Sequence, residues 1–421
     1  MRFRFSGLLI VGYLLVVLSS MARGQEWTRF RGPNGTGVAA ASAHRIPVQW
    51  GENDAAWKAR LPGHGHSSPV VWGDRVFLLS ADPSDATQHV LCLNTGTGKT
   101  VWQRTYESQS HHLHSRNTFA SSTPAVDRDR LYVVWSTPEQ LTLKALDHEG
   151  SQVWTKDLGS WTSQHGFGTS PMRYGDLVIL FNSQQAEQLD PGQERGQSFM
   201  MAFERQTGRL RWKQPLNTTR VCYGTPCIYR PSGGEPQLIC HNTGDGIFSL
   251  DPHTGRRNWS VDVFEKRTVS SPIVVGDLMF GTNGSGGGGN YLVAVRAGRS
   301  PKEAYRITRQ APYVSTPVAR GDLVFLFHDR GVASCIRASD GERLWQERLS
   351  RSFSGSPVRV EDRLYCIDDD GVVIVLAAED QFEELARNPL GEPSRSTPAI
   401  AGGRMFLRTV SHLTCIDSEN E

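Results

Sequence analysis

Seven cysteines are scattered through the 421 residues, at positions 92, 222, 227, 240, 335, 366 and 415, with no CxxC, no CxxCH and no adjacent pair. That distribution excludes a c-type haem attachment and a zinc ribbon. Long apolar runs are equally scarce. The longest is Leu8–Leu18, about half of the roughly 20 residues a membrane span needs, and no later stretch comes closer. A dominant charge is missing too, because 45 Lys and Arg stand against 43 Asp and Glu. This near-neutrality argues against a nucleic-acid partner. No serine has the strand-turn-helix context of a nucleophile elbow.

The one apolar run is placed meaningfully. Arg2 and Arg4 precede it, and Ala22-Arg23-Gly24 supplies small residues after it. Residues 1–25 therefore read as a signal peptide cleaved near Gly24, leaving an exported chain, periplasmic or extracellular, with no transmembrane segment. Loss of Arg2, Arg4 and Arg23 lowers the basic count from 45 to 42, a charge of about −1 for the mature chain.

What the sequence does contain is a repeat. Ser or Thr followed by Pro, an apolar pair, an acidic turn and a second apolar stretch recurs at Pro69, Pro124, Pro171, Pro226, Pro272, Pro317, Pro357 and Pro398. The intervals are 55, 47, 55, 46, 45, 40 and 41 residues, the period at which four short strands form one propeller blade. In Ser67–Phe77, Asp74 marks the tight turn, and Asp129, Asp176, Asp277, Asp322 and Asp362 hold the same slot. Each unit closes on a glycine and, four residues later, a tryptophan: Gly98 and Trp102, Gly150 and Trp154, Gly208 and Trp212, Gly255 and Trp259, Gly341 and Trp345. Tyr305 and Leu385 are expected in the Trp place of units five and seven.

The last unit stops before an outer strand could form. Trp57-Lys58-Ala59-Arg60-Leu61 resembles Trp345–Leu349, and Trp57 lies twelve residues before Pro69 as Trp345 lies twelve before Pro357. The expectation is an all-β, eight-bladed β-propeller of four-stranded blades. The N-terminal segment supplies the outer strand of the last blade and so closes the ring. Its parts are residues 1–25 as leader, 26–49 as an N-terminal extension and 50–421 as a single propeller domain. Cys92, Cys335 and Cys415 occupy the small core slot held by Ala145, Ala202 and Ala294 in other units. Cys227 and Cys240 could face each other on the first hairpin of unit four, which leaves a disulfide open.

The Gly-Asp turns and the closure Phe203–Trp212, with its Thr207-Gly208, resemble the PQQ-like (pyrrolo-quinoline quinone) repeat over about residues 50–421. The opening Trp27–Gly35 resembles the start of a large group of secreted bacterial members. That superfamily includes quinoprotein dehydrogenases and BamB, the propeller of outer-membrane barrel assembly. The resemblance implies two functions. One is a non-catalytic secreted binding or scaffold module, possible in envelope assembly, needing no cofactor. The competing one is an oxidoreductase using PQQ with Ca2+. Quinoprotein dehydrogenases are expected to carry adjacent cysteines, which this chain lacks, so no catalytic or cofactor residue is carried over. A BamB-like lipoprotein would place a cysteine directly after its leader, whereas the first here is Cys92.

A propeller displays its blade connections on one face, and the unusual residues gather in three consecutive connections. They are His64 and His66, then His111, His112, His114 and Arg116, then Gln164 and His165. This is the candidate face for a protein or small-molecule ligand on a monomeric chain. No helical i, i+4 frame or fixed carboxylate accompanies the histidines, so no metal is expected there. The Gly286–Gly289 run is expected to be a hairpin tip, and Asp368-Asp369-Asp370-Gly371 a turn rather than a calcium loop.

Overall fold

The structure, a computed structural model, describes residues 26–39, 46–51, 53–189 and 191–417. The expected leader lies outside these residues.

Thirty-two strands form eight four-stranded antiparallel sheets, and a 3-10 turn at Pro33–Gly35 is the one helical element among the described residues. Seven sheets are consecutive, over residues 70–106, 125–157, 172–215, 227–261, 273–307, 318–348 and 358–389. The eighth joins the two ends of the chain. Its strands β30 (Ala399–Ala401), β31 (Arg404–Arg408) and β32 (His412–Asp417) take β1 (Trp57–Arg60) as the outer strand, with Trp57 opposite Cys415. The ring is an eight-bladed propeller closed by the N-terminal segment, as the spacing of Trp57 implies. Closure covers the unpaired edge that β32 would otherwise present.

The glycine-tryptophan closures hold neighbouring blades together. Trp102 lies opposite Cys92, Trp154 opposite Ala145, Trp212 opposite Ala202 and Trp345 opposite Cys335, so a small residue sits under each indole. The ladder shifts register at the next residue in all seven consecutive blades. Most of the indoles then reach the following blade: Trp57 Nε1 donates to Thr95 O at 2.9 Å, Trp102 Nε1 to His148 O at 2.7 Å and Trp154 Nε1 to Arg205 O at 2.9 Å, whereas Trp259 Nε1 donates to Gln237 Oε1 of its own blade at 2.8 Å. Gly98 shows why the closure needs glycine. Its φ is +66°, and a Cβ there would lie 2.5 Å from the Trp57 ring. Tyr305 takes the Trp place opposite Ala294, as expected. Blade seven departs from expectation: Val375 faces Ala386, and Leu385 is the extra residue of the register shift. There Phe382 packs edge-on against Trp345 at 5.4 Å in place of a glycine turn.

All seven cysteines are free and buried. Cys227 pairs with Ile239, so the adjacent Cys240 projects to the opposite face of the sheet. Cys227 packs with Ile247 and Met279, and Cys240 with Ile179 and Phe248. The two thiols lie in different inter-blade cores and cannot bridge.

Residues 27–38 run across one end of the central channel. Trp27 bridges to Val71 in blade one, Val126 N–H of blade two donates to Thr28 O, and Val38 bridges to Arg359 in blade seven. Two buried arginines fix this plug. Arg29 Nη2 donates to Pro226 O at 2.7 Å. Arg31 donates to Gly35 O, Thr36 O, Thr316 O, Pro317 O and Pro357 O. Burial lowers Arg31 to about 9 and Arg29 to about 10, so both stay charged at neutral pH.

Candidate functional site

Each inner strand begins at the repeat's Ser/Thr-Pro phrase, and the eightfold arrangement gathers those phrases around the axis. Ser68, Thr123, Ser170, Thr225, Ser271, Thr316, Ser356 and Thr397, one per blade, form a ring of hydroxyls. Seven hydrogen bonds join consecutive members, each from a backbone N–H to the hydroxyl of the next blade, at 2.8–3.1 Å. In extended chain the residue two positions earlier points the same way. Those residues form a second ring above the first: His66, Ser121, Gly168, Tyr223, Val269, Val314, Ser354 and Arg395.

Together the rings line a central funnel of about 750 Å³, with Phe30 of the plug among its lining residues. Loops raise the walls and bring Arg116, Arg220 and Arg267 to the lining, beside His114, Gln164, His165 and Tyr313. Among the described residues, four arginines and three histidines line this cavity, and no aspartate or glutamate does.

Arg267 is the least solvated of the four arginines, at 9% exposure. Its Nη2 donates to Gln185 Oε1 at 3.3 Å, while its Nε is buried without a hydrogen-bond partner. Among the described residues no carboxylate lies within ion-pair distance of Arg267, Arg220 or Arg116, and Arg395 reaches Asp369 only at 3.9 Å. A buried guanidinium with an unused donor is costly unless an anion completes it.

His66 is held neutral. Burial, then the neighbouring Arg395 and Arg408, push His66 down to about 3. Burial comes first for His114 and His165 as well, which also fall below the ordinary histidine value, His114 beside Arg116 and Arg267 and His165 beside Arg267 and His114. Their rings lie 5.0 Å apart, and His165 Nδ1 is buried without a partner. Burial raises the Tyr223 and Tyr313 phenols, so both remain protonated.

Of the residues singled out from the sequence, the funnel brings together His66, His114, Arg116, Gln164 and His165. It does not include the other three. His64 pairs its backbone with Ala81 in an isolated bridge, His111 packs edge-on against Phe119 at 5.1 Å, and His112 is exposed. Sequence reasoning missed Arg220, Tyr223, Arg267, Tyr313, Arg395 and the hydroxyl ring. A signal was present, since Tyr223 and Arg395 each stand two residues before a Ser/Thr of the repeat phrase. The Gly286–Gly289 run, read as a hairpin tip, also contributes Gly286 to the wall.

An eight-bladed ring of Ser/Thr-Pro strands with tryptophan-locked closures defines a propeller of PQQ-like repeats. The family model described as outer membrane protein assembly factor BamB matches residues 32–119, 54–221, 194–299 and 330–420, and the chain belongs to that family. Among solved structures, BamB from Moraxella catarrhalis superposes with a TM-score of 0.59 at 17% identity, covering 87% of this chain and 98% of that one. A europium-containing methanol dehydrogenase superposes with a TM-score of 0.66 at 13% identity, covering 92% and 90%. Quinohemoprotein alcohol dehydrogenase from Comamonas testosteroni gives 0.62 at 14% identity, covering 94% and 81%. At these identities the likeness is one of fold. Tetrathionate hydrolase from Acidithiobacillus ferrooxidans is 24% identical over 262 residues, spanning 58% of this chain and 47% of that protein. No helix among the described residues is long and apolar enough to cross a membrane.

Proposed function

We propose that the chain is an exported, non-catalytic binding propeller whose central funnel takes an anionic ligand. The observation that carries this reading is the funnel's charge among the described residues: four arginines, no carboxylate, and a buried Arg267 Nε without a partner. Guanidinium donors of this kind suit carboxylate, sulfonate or phosphate groups.

Oxidoreductase chemistry with PQQ and Ca2+ is the competing reading, and the lining does not fit the cation. Ca2+ takes six to eight oxygen ligands with carboxylates among them. Among the described residues the funnel has none, and no group of three or more His, Cys, Asp or Glu suited to a metal occurs. A protein partner in barrel assembly, the role in the family's description, draws less support. Among the described residues, the exposed large apolar ones, Val101, Val153, Leu210 and Phe382, all lie in blades' outer strands or turns and are not in the funnel.

Calorimetric titration of the mature chain with tetrathionate, sulfate and PQQ, with and without Ca2+, tests the reading. Tetrathionate is a dianion and the named substrate of one similar protein. Binding of at least one anion without Ca2+, weakened about tenfold or more in Arg267→Gln, supports the proposal. Binding of PQQ that requires Ca2+ would replace it with the oxidoreductase reading.

A further inference from the structure

A second cavity of about 710 Å³ opens beside the funnel on the same face, between blades five and six. Arg116, Ser285, Gly286 and Tyr313 line both, so the two are one continuous depression. Arg309, Arg330, Arg343 and Arg348 line the outer part. None has a carboxylate within ion-pair distance among the described residues. Arg343 Nη2 donates to Arg309 O at 2.6 Å and Arg348 Nη1 to Arg330 O at 2.7 Å, which orients both side chains through backbone and leaves their other donors for a ligand.

The single acid of this groove among the described residues is already committed. Asp329 accepts the Tyr313 and Val314 N–H groups at 2.8 and 3.0 Å and the Asn290 amide at 3.3 Å. Eight arginines thus line one continuous path against one structural aspartate, in a chain whose 45 basic and 43 acidic residues nearly cancel. Charge is concentrated along a track rather than spread over the ring.

Resting on the anion-binding reading above, we propose that the ligand is an acidic oligosaccharide that lies along the groove and ends in the funnel. The lining chooses among polyanions. Single-stranded nucleic acid is held by successive aromatic platforms, and the groove offers one tyrosine, Tyr313. An acidic peptide would bring side chains that need apolar pockets, yet among the described residues no aliphatic side chain lines the groove, and its only aromatic rings are Tyr313 and the polar imidazole of His328. Hydroxyls, amides and exposed glycine backbone dominate instead: Ser285, Asn290, Thr308, Gln310 and Gln346 around the Gly286–Gly289 run. These are partners for sugar hydroxyls, while the arginines bind the acidic groups.

The test is calorimetric titration at fixed ionic strength with two series of increasing length, oligogalacturonates for carboxylate and heparin-derived oligosaccharides for sulfate. Maltohexaose and oligothymidylate serve as comparators. The variant is Arg309→Gln with Arg330→Gln; both residues are exposed. Affinity in at least one acidic series is expected to rise about 100-fold from one sugar to six. The double variant loses at least tenfold of that gain, keeps wild-type affinity for the single acidic sugar, and melts at the wild-type temperature. The series that binds identifies the acidic group. Single-sugar binding with no gain on lengthening, or equal binding of maltohexaose or oligothymidylate, overturns this inference and leaves the funnel reading standing. Absence of any anion binding overturns both.

Discussion

Arginine occupies both ends of this channel in opposite circumstances. At the plug, Arg31 is fully buried and donates to five backbone carbonyls from its own segment and from blades six and seven. In the funnel, Arg267 is nearly as buried, yet its guanidinium meets only side chains, Gln185 Oε1 at 3.3 Å and Tyr313 beside it, and its Nε is idle. Burial alone therefore does not mark a functional charge. A guanidinium saturated by carbonyls is an internal strut; one left incomplete beside an acid-free cavity is a receptor. The contrast predicts that the plug arginine governs stability and the funnel arginine governs binding.

The largest effect belongs to the strut. Arg31→Ala removes a charged donor set and strands several buried carbonyls, each of which costs about 1–3 kcal/mol when unmet. A loss of at least about 3 kcal/mol in urea unfolding is expected. A loss under about 1 kcal/mol would show that the plug is dispensable and that Arg31 is no strut. Gly37→Ala should come next. Gly37 has φ +71°, and its Cβ would lie 2.5 Å from Arg31 Nη2 and 3.1 Å from Pro357 O. Strain and displacement of Arg31 together suggest about 2 kcal/mol, read by the same unfolding curve.

Arg267→Gln should behave oppositely. Removing an incompletely paired buried charge relieves desolvation, so the melting temperature should hold or rise. Anion affinity should fall about tenfold or more, since a charge-assisted hydrogen bond is worth roughly 1.5–3 kcal/mol. A variant that melts markedly lower would reassign Arg267 as a second strut.

These residues also mark how far the sequence could be read. The ring was legible because propeller geometry repeats: eight prolines gave the blades, and Trp57 gave the closure. Blade seven was misread at Leu385 because the register shift beside Val375 moves the facing position by one residue. The disulfide left open at Cys227 and Cys240 fails through strand alternation, which needs the pairing register to apply. The funnel was only half legible. Histidines are rare enough to be noticed in loops, whereas Arg220, Arg267 and Arg395 are three among many arginines. What distinguishes them is convergence across blades and the absence of carboxylates around them, neither of which a linear chain displays.

The smallest effects concern the histidines, where stability and binding both depend on the same protons. His114 and His165 have lowered values in the free funnel, from burial and the nearby arginines. A group whose folded value is depressed must take up its proton against the fold, so these histidines and His66 withdraw stability as pH falls below their unfolded value of about 6.5. A bound anion reverses the sign locally, because negative charge beside His114 and His165 raises their values again. Binding should then take up protons and tighten by severalfold between pH 8 and pH 6, while the unliganded protein loses stability over the lower part of that range. His114→Asn with His165→Asn should flatten the pH profile of affinity without abolishing it, since the arginines keep their charge. His112→Ala, exposed and outside the lining, should reproduce the wild-type profile. A flattened profile in the His112 variant would mean that the ligand sits on the outer loops, and the funnel would have to yield its role to them.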